Sequence, residues 1–440
     1  MATSEWKEVS AGHYSRPMDE IEDAYATIAS GGRPLDREHW AITATLKLHF
    51  GSPDFVMAVK NAWIALRLTQ PALASTNEGT NKVYQILSES EKLAWLNETF
   101  KVMDSEINAI QLFAQLRPVA RATLYILPKT KELVIRTSHD RIDGIGIVML
   151  LDNLVYHIAF PTTLQLDEEA KKLSPPFKIA ASIPDATPAQ LMKLGSTMES
   201  WLSNLPSIGL AAQTTEQLPS ATKIAQIAFS PSQTSQVISQ VKAKGFTVTH
   251  AVHAAIILAT KLHAQIPNAD TRKYATFSVF NLRDQCMLPF NSSTHAFSIY
   301  HSGWPIIIIP GTFDNTASQL KEFYEARRED PDFLPMVAPL FSMLKGVAST
   351  SKPSTPSSEP ILSSLGVLEK RLKRQQGSVK VEEFGLALDT LTPQVYVVLW
   401  TWKDCLTIRA CYNESYHVAE SAERFLSLVK QELLMNLSIS

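Results

Sequence analysis

The sequence has few cysteines and no excess of charge of either sign. Three cysteines occur among 440 residues, Cys286, Cys405 and Cys411, and no CxxC pair is present. A disulfide framework or a thiolate zinc site therefore has no support, and we expect no metal centre. The 41 basic and 43 acidic side chains leave a formal charge of −2. Such a balance provides no global positive field for binding nucleic acid.

Long apolar runs are also missing. The longest, at residues 145–151, 254–259 and 306–309, are far shorter than the roughly 20 residues of a membrane-spanning helix. The first residues lack the basic patch and apolar region of a secretory signal. These absences predict a cytoplasmic protein without a membrane span.

Several catalytic motifs are absent as well. The chain contains no Gly-x-Ser-x-Gly elbow and no Gly-Lys-Ser/Thr phosphate loop. Gly144 and Gly146 open a predicted helix, but Met149 occupies the place of the third dinucleotide-motif glycine, which disfavours a Rossmann site. His250 and His253 lie on an apolar helix without an accompanying glutamate, which is more typical of packed histidines than of zinc ligands.

What remains is ordinary globular composition, with 45% hydrophobic and 19% charged residues. The length fits two lobes of roughly 200 residues each. Connector-like segments at 171–189 and 211–220 favour an N-terminal lobe at 1–210 and a C-terminal lobe at 211–440. A shared Ala-Val-x-x-Ala-x-Ile pattern at 58–64 and 251–257 fits a duplicated lobe. It fits equally well the alternative that small and β-branched residues recur on buried helices.

Hydrophobic periodicity predicts mixed secondary structure. The predicted helices are 17–30, a helix that starts at residue 55 and ends before Pro71, 144–160, 232–244, 248–263 and 418–434. The predicted strands are 121–127, 132–138, 223–229, 274–280, 306–309, 394–402 and 405–412. The Ser- and Pro-rich segment 346–360 is predicted as an exposed, mobile loop.

The most informative motif is His-x-x-x-Asp-Gly, at His139, Asp143 and Gly144, between a predicted strand and a predicted helix. Strand alternation places His139 on the core side, where an imidazole can be held as a general base. Asp143 can orient the loop by pairing with a cation, and Gly144 permits close backbone approach or a positive φ. A packed histidine beside an Asp-Gly turn is the open alternative.

At this motif the chain resembles the coenzyme A-dependent acyltransferases, which include chloramphenicol acetyltransferase, peptide-synthetase condensation domains and plant BAHD enzymes. The nearest likeness is to fungal O-acetyltransferases of the trichothecene type. Further segments in matching order are SRPMDEIE at 15–22, AWIALRLTQPALA at 62–74, 249–259, FSVFNLRDQC at 277–286, SSLGVLE at 363–369 and TWKDCLTIRACYNESYH at 401–417. The resemblance implies an α/β fold of two similar lobes, with mixed sheets, packed helices and an active-site channel between the lobes.

The resemblance also implies roles for the motif. His139 takes the position of the family's catalytic base, Asp143 that of its structural acid, and Gly144 that of the glycine beside the tunnel. Arg283, in the sequence Asn281-Leu282-Arg283, takes the place of the arginine that pairs with the aspartate and orients the loop.

Other positions follow the family less closely. Ser363 or Ser364 stands where the family often has a serine turn, which implies an oxyanion or substrate contact; an ordinary turn serine is the alternative. Ser138 replaces the first of two family histidines. The segment 383–387 (EFGLA) replaces the BAHD Asp-Phe-Gly-Trp-Gly motif, which leaves the local coenzyme A-side structure open.

The implied function is acyl transfer, most simply acetyl transfer, from acyl-coenzyme A to a hydroxyl of an apolar secondary metabolite. Acetyl-coenzyme A would be a co-substrate and no cofactor would be bound; the partners expected are the apolar alcohol and coenzyme A, and the expected state is a monomer. One alternative is a cyclisation, dehydration or isomerisation on the same fold. Another is a non-catalytic ligand-binding protein. The acceptor, the acyl chain length and the choice of O or N acceptor stay open.

Overall fold

The described part of the chain consists of helices packed on twisted sheets. A computed structural model describes residues 5–51, 54–161, 169–213, 217–264, 272–350 and 357–439, with the side chains of 348–350 left aside. Its α-helices are α1 Glu20–Ser30, α2 Phe55–Thr69, α3 Glu89–Thr99, α4 Ala109–Phe113, α5 Gly144–Ala159, α6 Phe177–Ala180, α7 Pro188–Leu202, α8 Pro231–Ala243, α9 Val248–His263, α10 Phe313–Glu329, α11 Phe333–Thr350 and α12 Ala419–Asn436.

The strands alternate with these helices along the chain. They are β1 Lys7–Ser10, β2 His13–Pro17, β3 Ile42–His49, β4 Thr76–Glu78, β5 Asn81–Gln85, β6 Phe100–Val102, β7 Thr123–Leu127, β8 Glu132–Thr137, β9 Thr222–Ala228, β10 Tyr274–Asn281, β11 His301–Ile308, β12 Pro360–Val367, β13 Gln375–Gln376, β14 Val379–Leu388, β15 Val395–Trp402 and β16 Cys405–Asn413. β1, β2, β5 and β4 form a peripheral four-stranded sheet.

The largest sheet has six strands in the order β13-β14-β3-β8-β7-β6. Neighbours are antiparallel except for the parallel pair β6 and β7. β7 and β8 form the hairpin that the sequence predicts. Because β13 and β14 come from the second half of the chain, that half completes a sheet begun in the first. The division of the lobes at residues 210 and 211 stays a prediction.

A four-stranded sheet, β12-β15-β16-β9, forms the centre of the other half. β12 and β15 are parallel, and the remaining neighbours are antiparallel. The predicted hairpin at 394–412 is confirmed as β15 and β16, with Lys403 and Asp404 at positive φ in its two-residue turn, as tight hairpins require. β10 and β11 pair next to β12. Both large sheets are mixed, which confirms the predicted α/β class.

Two large hydrophobic clusters hold these layers together. In one, α2 and α5 pack together and bury Trp63 and Leu151 with Ile135 of β8. In the other, α9 and α12 pack together and bury Ile257 and Phe425 with Ile408 of β16. The repeated Ala-Val pattern lies on α2 and α9, both buried, so the duplication and its simpler alternative remain open.

Two predicted loops are wrong in part. The segment 171–189 contains α6 and the first residues of α7, whose start is capped by the Thr187 hydroxyl accepting from the Gln190 main chain. α7 buries only Leu194 and Met198, while Leu191 and Met192 are exposed. The predicted loop at 346–360 begins inside α11, which continues to Thr350, and ends at the start of β12. Residues 351–356 lie outside the described residues.

Within the described ranges, no single helix is both long and apolar enough to cross a membrane. α8 and α9 meet the length and composition test only as a pair, bent by 98°.

Candidate active site

The end of β8 delivers His139 to an internal cavity. β8 stops at Thr137 and α5 begins at Gly144, so the motif forms the tight connection between them. His139 is 9% exposed and lines a cavity of about 290 Å³. Much of the cavity wall is apolar and includes Ile28, Trp40, Trp201, Phe277, Phe341 and Leu388. Small-molecule sites combine such a lining with a few polar groups.

Two aromatic side chains from distant elements surround the imidazole. The ring of Tyr25, on α1, stacks on His139 with centroids 4.2 Å apart. The Tyr25 hydroxyl lies 3.0 Å from Nε2 of His301, the first residue of β11. The His139 and His301 rings are 5.4 Å apart. Neither Tyr25 nor His301 is identified by sequence reasoning, since no local pattern marks residues that meet only through tertiary packing.

The protonation states of these rings follow from their burial. Burial lowers the pKa of His139, while its own main chain and the charges of Asp143 and Asp140 act in the opposite direction. The imidazole is therefore neutral near pH 7. Burial and the nearby His139 lower the pKa of His301 to about 3. Burial raises the pKa of the Tyr25 hydroxyl well above its usual value. The three rings form an uncharged cluster.

Asp143 is the N-cap of α5, and both of its carboxylate oxygens accept hydrogen bonds. Its Oδ1 accepts from the main-chain N–H of Gly146 at 2.6 Å, as an N-cap does. Its Oδ2 accepts from the main-chain N–H of Tyr300 at 2.7 Å and from Arg283 at 3.1 Å. Burial would raise the pKa of Asp143, but Arg283 and these hydrogen bonds hold it below its usual value. The carboxylate stays charged and structural.

Arg283 is the cation that faces this carboxylate. It is 1% exposed, and its Nη2 donates to Asp143 Oδ2, the contact that the sequence predicts. The guanidinium also donates to the main-chain carbonyls of His295, Ala296 and Ser298 and to the Ser298 hydroxyl. These bonds offset the desolvation of a buried charge, although Nε of Arg283 has no partner among the described residues. Arg283 thereby ties the start of α5 to the segment that precedes β11.

Gly144 and Gly146 occupy different surroundings. Gly144 lines the cavity without a positive φ, and a Cβ on it would lie 3.1 Å from Leu365 Cδ2. Of the two roles expected for Gly144, close approach is the one its position allows. A Cβ on Gly146 would lie 2.4 Å from the Ala296 carbonyl oxygen and 2.5 Å from Arg283 Nη2. A residue larger than glycine at position 146 would therefore disturb the Asp143–Arg283 ion pair. From the sequence, Gly146 was considered only as part of a possible dinucleotide-binding motif.

The remaining predicted residues also reach the cavity. Asn281, Ser363 and Ser364 all line it. The Asn281 side-chain oxygen accepts from the Arg283 main chain at 3.3 Å, and the Ser364 hydroxyl lies 3.0 Å from that of Thr249. The structure thus brings every predicted site residue to one region, while their chemical roles stay predictions.

A buried ion network clamps the connection that carries His139. Lys82 Nζ donates to the Asp140 main-chain carbonyl at 2.6 Å and lies 3.4 Å from a Glu22 carboxylate oxygen. Asn77 donates to the Asp140 carboxylate at 2.6 Å, and Arg16 bonds Glu22 through both Nη atoms. Sequence reasoning missed this network, since its members come from separate elements. It limits movement of the His139 main chain.

The described residues contain no group of three or more His, Cys, Asp or Glu side chains placed to hold a metal ion.

Two relatives of the chain are named as acetyltransferases. No family profile matches the chain. O-acetyltransferase pigM of Monascus ruber is 28% identical over 99% of this chain and 87% of its own length. Acetyltransferase pigO of the same fungus is 27% identical over 99% of this chain and 98% of its own.

A solved structure of an acetyltransferase shares the fold of this chain. The trichothecene 15-O-acetyltransferase of Fusarium sporotrichioides aligns over 98% of this chain and 97% of its own, with a TM-score of 0.83 at 16% identity. At that identity the likeness concerns the fold alone, while the named relatives indicate the class of reaction. Together these comparisons show that the chain has the coenzyme A-dependent acyltransferase fold and is an acyltransferase.

Proposed function

We propose that the chain transfers an acetyl group from acetyl-coenzyme A to a hydroxyl of an apolar secondary metabolite, with His139 as general base. The observation that carries the proposal is a neutral imidazole at the end of β8, lining a largely apolar cavity beside a fixed Asp143–Arg283 pair. The relatives named as acetyltransferases support the acyl group and the oxygen acceptor.

The proposed chemistry needs one base and no covalent enzyme intermediate. Nδ1 of His139 is buried and has no hydrogen-bond partner on any described residue. We assign the proton to Nδ1, which leaves the Nε2 lone pair for the acceptor. As the acceptor oxygen attacks the thioester carbonyl, its proton passes to Nε2. When the C–S bond breaks, the histidinium returns that proton to the thiolate.

The surrounding groups would position the base and stabilise the developing charge. Asp143 keeps its carboxylate on Arg283 and the main chain, so it orients the loop and does not take a proton. Asn281, Ser363 and Ser364 supply side-chain donors to the cavity, and the oxyanion would bind one or more of them.

The direct test is activity with and without the base. Purified protein is incubated with acetyl-coenzyme A and a panel of hydroxylated terpenoids and polyketides, and both the free thiol and the ester product are measured. We expect His139→Ala to lower kcat by roughly 10² to 10⁴. His49→Ala, at a histidine that is 67% exposed, is the matched control and should retain full activity. Equal rates for His139→Ala and His49→Ala would show that His139 is not the general base.

A second measurement separates acyl transfer from other chemistry on this fold. Calorimetric titration with coenzyme A should give saturable binding. No binding, together with conversion of an alcohol in its absence, would favour the cyclisation, dehydration or isomerisation alternative.

A further inference from the structure

The cavity that contains His139 also contains a carboxyl group that the mechanism above does not use. Glu359 directly precedes β12, is 3% exposed and lines the same cavity. Gln394, just before β15, donates from Nε2 to Glu359 Oε1 at 2.6 Å and lines the cavity too. A carboxyl and an amide from adjacent parallel strands thus form a small polar group in a largely apolar wall.

Protein packing leaves this carboxyl without a counter-charge. Within the described residues, no lysine, arginine or histidine lies within ion-pair distance of Glu359. Burial raises the pKa of Glu359 to about 7, although hydrogen bonds from Gln394 and Ser357 oppose the rise. Burying such a group costs free energy that an apolar side chain would not cost. A ligand that donates a hydrogen bond to the carboxyl would offset that cost.

Glu359 and Gly144 of the motif lie near opposite ends of β12. Leu365, near the other end of β12, lies against Gly144 of the motif. A strand rises about 3.3 Å per residue, so Glu359 lies roughly 13 Å from Ser363 along β12. A ligand that reaches both ends needs two polar groups with an apolar body between them.

We propose that Glu359, held by Gln394, binds a second hydrogen-bond donor of the acceptor, a hydroxyl or an amine remote from the hydroxyl that is acylated. The proposal rests on the proposed function for the identity of that acceptor. It narrows the substrate class from apolar alcohols to apolar alcohols with a polar donor at the far end.

The test measures binding and needs no acyl donor. The probes are 1-decanol, decane-1,10-diol and 10-aminodecan-1-ol, and the signal is intrinsic fluorescence, because Trp40 and Trp201 line the cavity. We expect the diol and the amino alcohol to bind about tenfold more tightly than 1-decanol, the range for one hydrogen bond to a charged group. In Glu359→Leu, all three probes should bind with similar affinity.

Two further variants keep the result interpretable. Glu106→Gln changes a glutamate that is 84% exposed and should retain the tenfold preference. Glu359→Gln keeps the side-chain shape and removes the charge, so it should lose the preference for the amine even if the leucine variant fails to fold. Equal affinities in the native protein, no saturable binding, or a preference that survives both Glu359 variants would overturn the proposal. The same titration in His139→Ala should still show the tenfold preference, because binding at Glu359 does not need the base. The binding result is therefore independent of whether the proposed acyl transfer is correct.

Discussion

Tyr25 and His139 stack face to face, with ring centroids 4.2 Å apart and ring planes within 2° of each other. The Tyr25 hydroxyl lies within hydrogen-bond distance of His301 Nε2, at 3.0 Å, so a residue of β11 fixes the position of the phenol ring. The orientation of the proposed base thus depends on α1 and β11 as well as on its own loop. The stacking therefore restricts the orientation of the His139 ring toward a bound acceptor.

Removing the stacked ring should impair catalysis more than removing its hydroxyl. Tyr25→Phe keeps the stack, and we expect kcat within about tenfold of the native value. Tyr25→Ala frees the imidazole, and a displacement of about 1 Å can cost on the order of 10² in rate. Steady-state kinetics with acetyl-coenzyme A measure both. Tyr156→Ala, at an exposed tyrosine on α5, should leave kcat unchanged. Native kcat in Tyr25→Ala would contradict the positioning role.

The pH dependence of kcat/KM should show a base with a depressed pKa. Burial lowers the pKa of His139, and the base must be neutral, so the acidic limb should lie below pH 6.5. Because the Asp143 charge acts to raise that pKa, Asp143→Asn should shift the limb further toward acid and lower the rate. Asp404→Asn, at an exposed carboxylate, should not move it. A limb above pH 6.5 in the native enzyme would be inconsistent with this environment.

Two glycine variants should change stability in opposite directions. Gly146→Ala places a methyl group against the Ala296 carbonyl and Arg283, and we expect a loss of about 1 to 3 kcal/mol in the free energy of unfolding. Gly195 lies within α7 with no atom within 4 Å of an added Cβ. Gly195→Ala should therefore stabilise the protein by up to about 1 kcal/mol. Denaturant titrations measure both, and equal shifts would argue against crowding at Gly146.

Removing Lys82 should destabilise the loop that carries His139. Lys82→Met removes a buried cation next to Glu22 and Asp140, although Arg16 still pairs with Glu22 and Asn77 still donates to Asp140. The cost should therefore be below the roughly 3 to 5 kcal/mol of a buried charge that loses its only partner. We expect a lower melting temperature and a reduced kcat. The control is Lys47→Met, which breaks an exposed ion pair with Glu383 and should change little. Unchanged stability in Lys82→Met would show that the network does not hold the loop.

Local sequence determined much of this protein. The hairpin β7–β8, the start of α5 at the Asp-Gly step and the β15–β16 hairpin depend on alternation, turn residues and capping, all of which act between neighbours in the chain. The motif at 139–144 was therefore visible as a strand-to-helix connection, and the order of its related segments indicated the fold. α7 was missed because its start lies in a segment rich in Pro, Ser and Thr that resembles a connector, although Leu191, Leu194 and Met198 recur at helical spacing.

The tertiary structure decided what surrounds the motif. Asp143 and Arg283 are 140 positions apart, and only the family resemblance indicated their pairing. Tyr25, His301 and Glu359 lie on α1, on β11 and next to β12, and none carries a pattern that marks it as part of a site. Their positions depend on how separate elements pack in three dimensions, and the contacts between those elements leave no periodicity or spacing within any one segment.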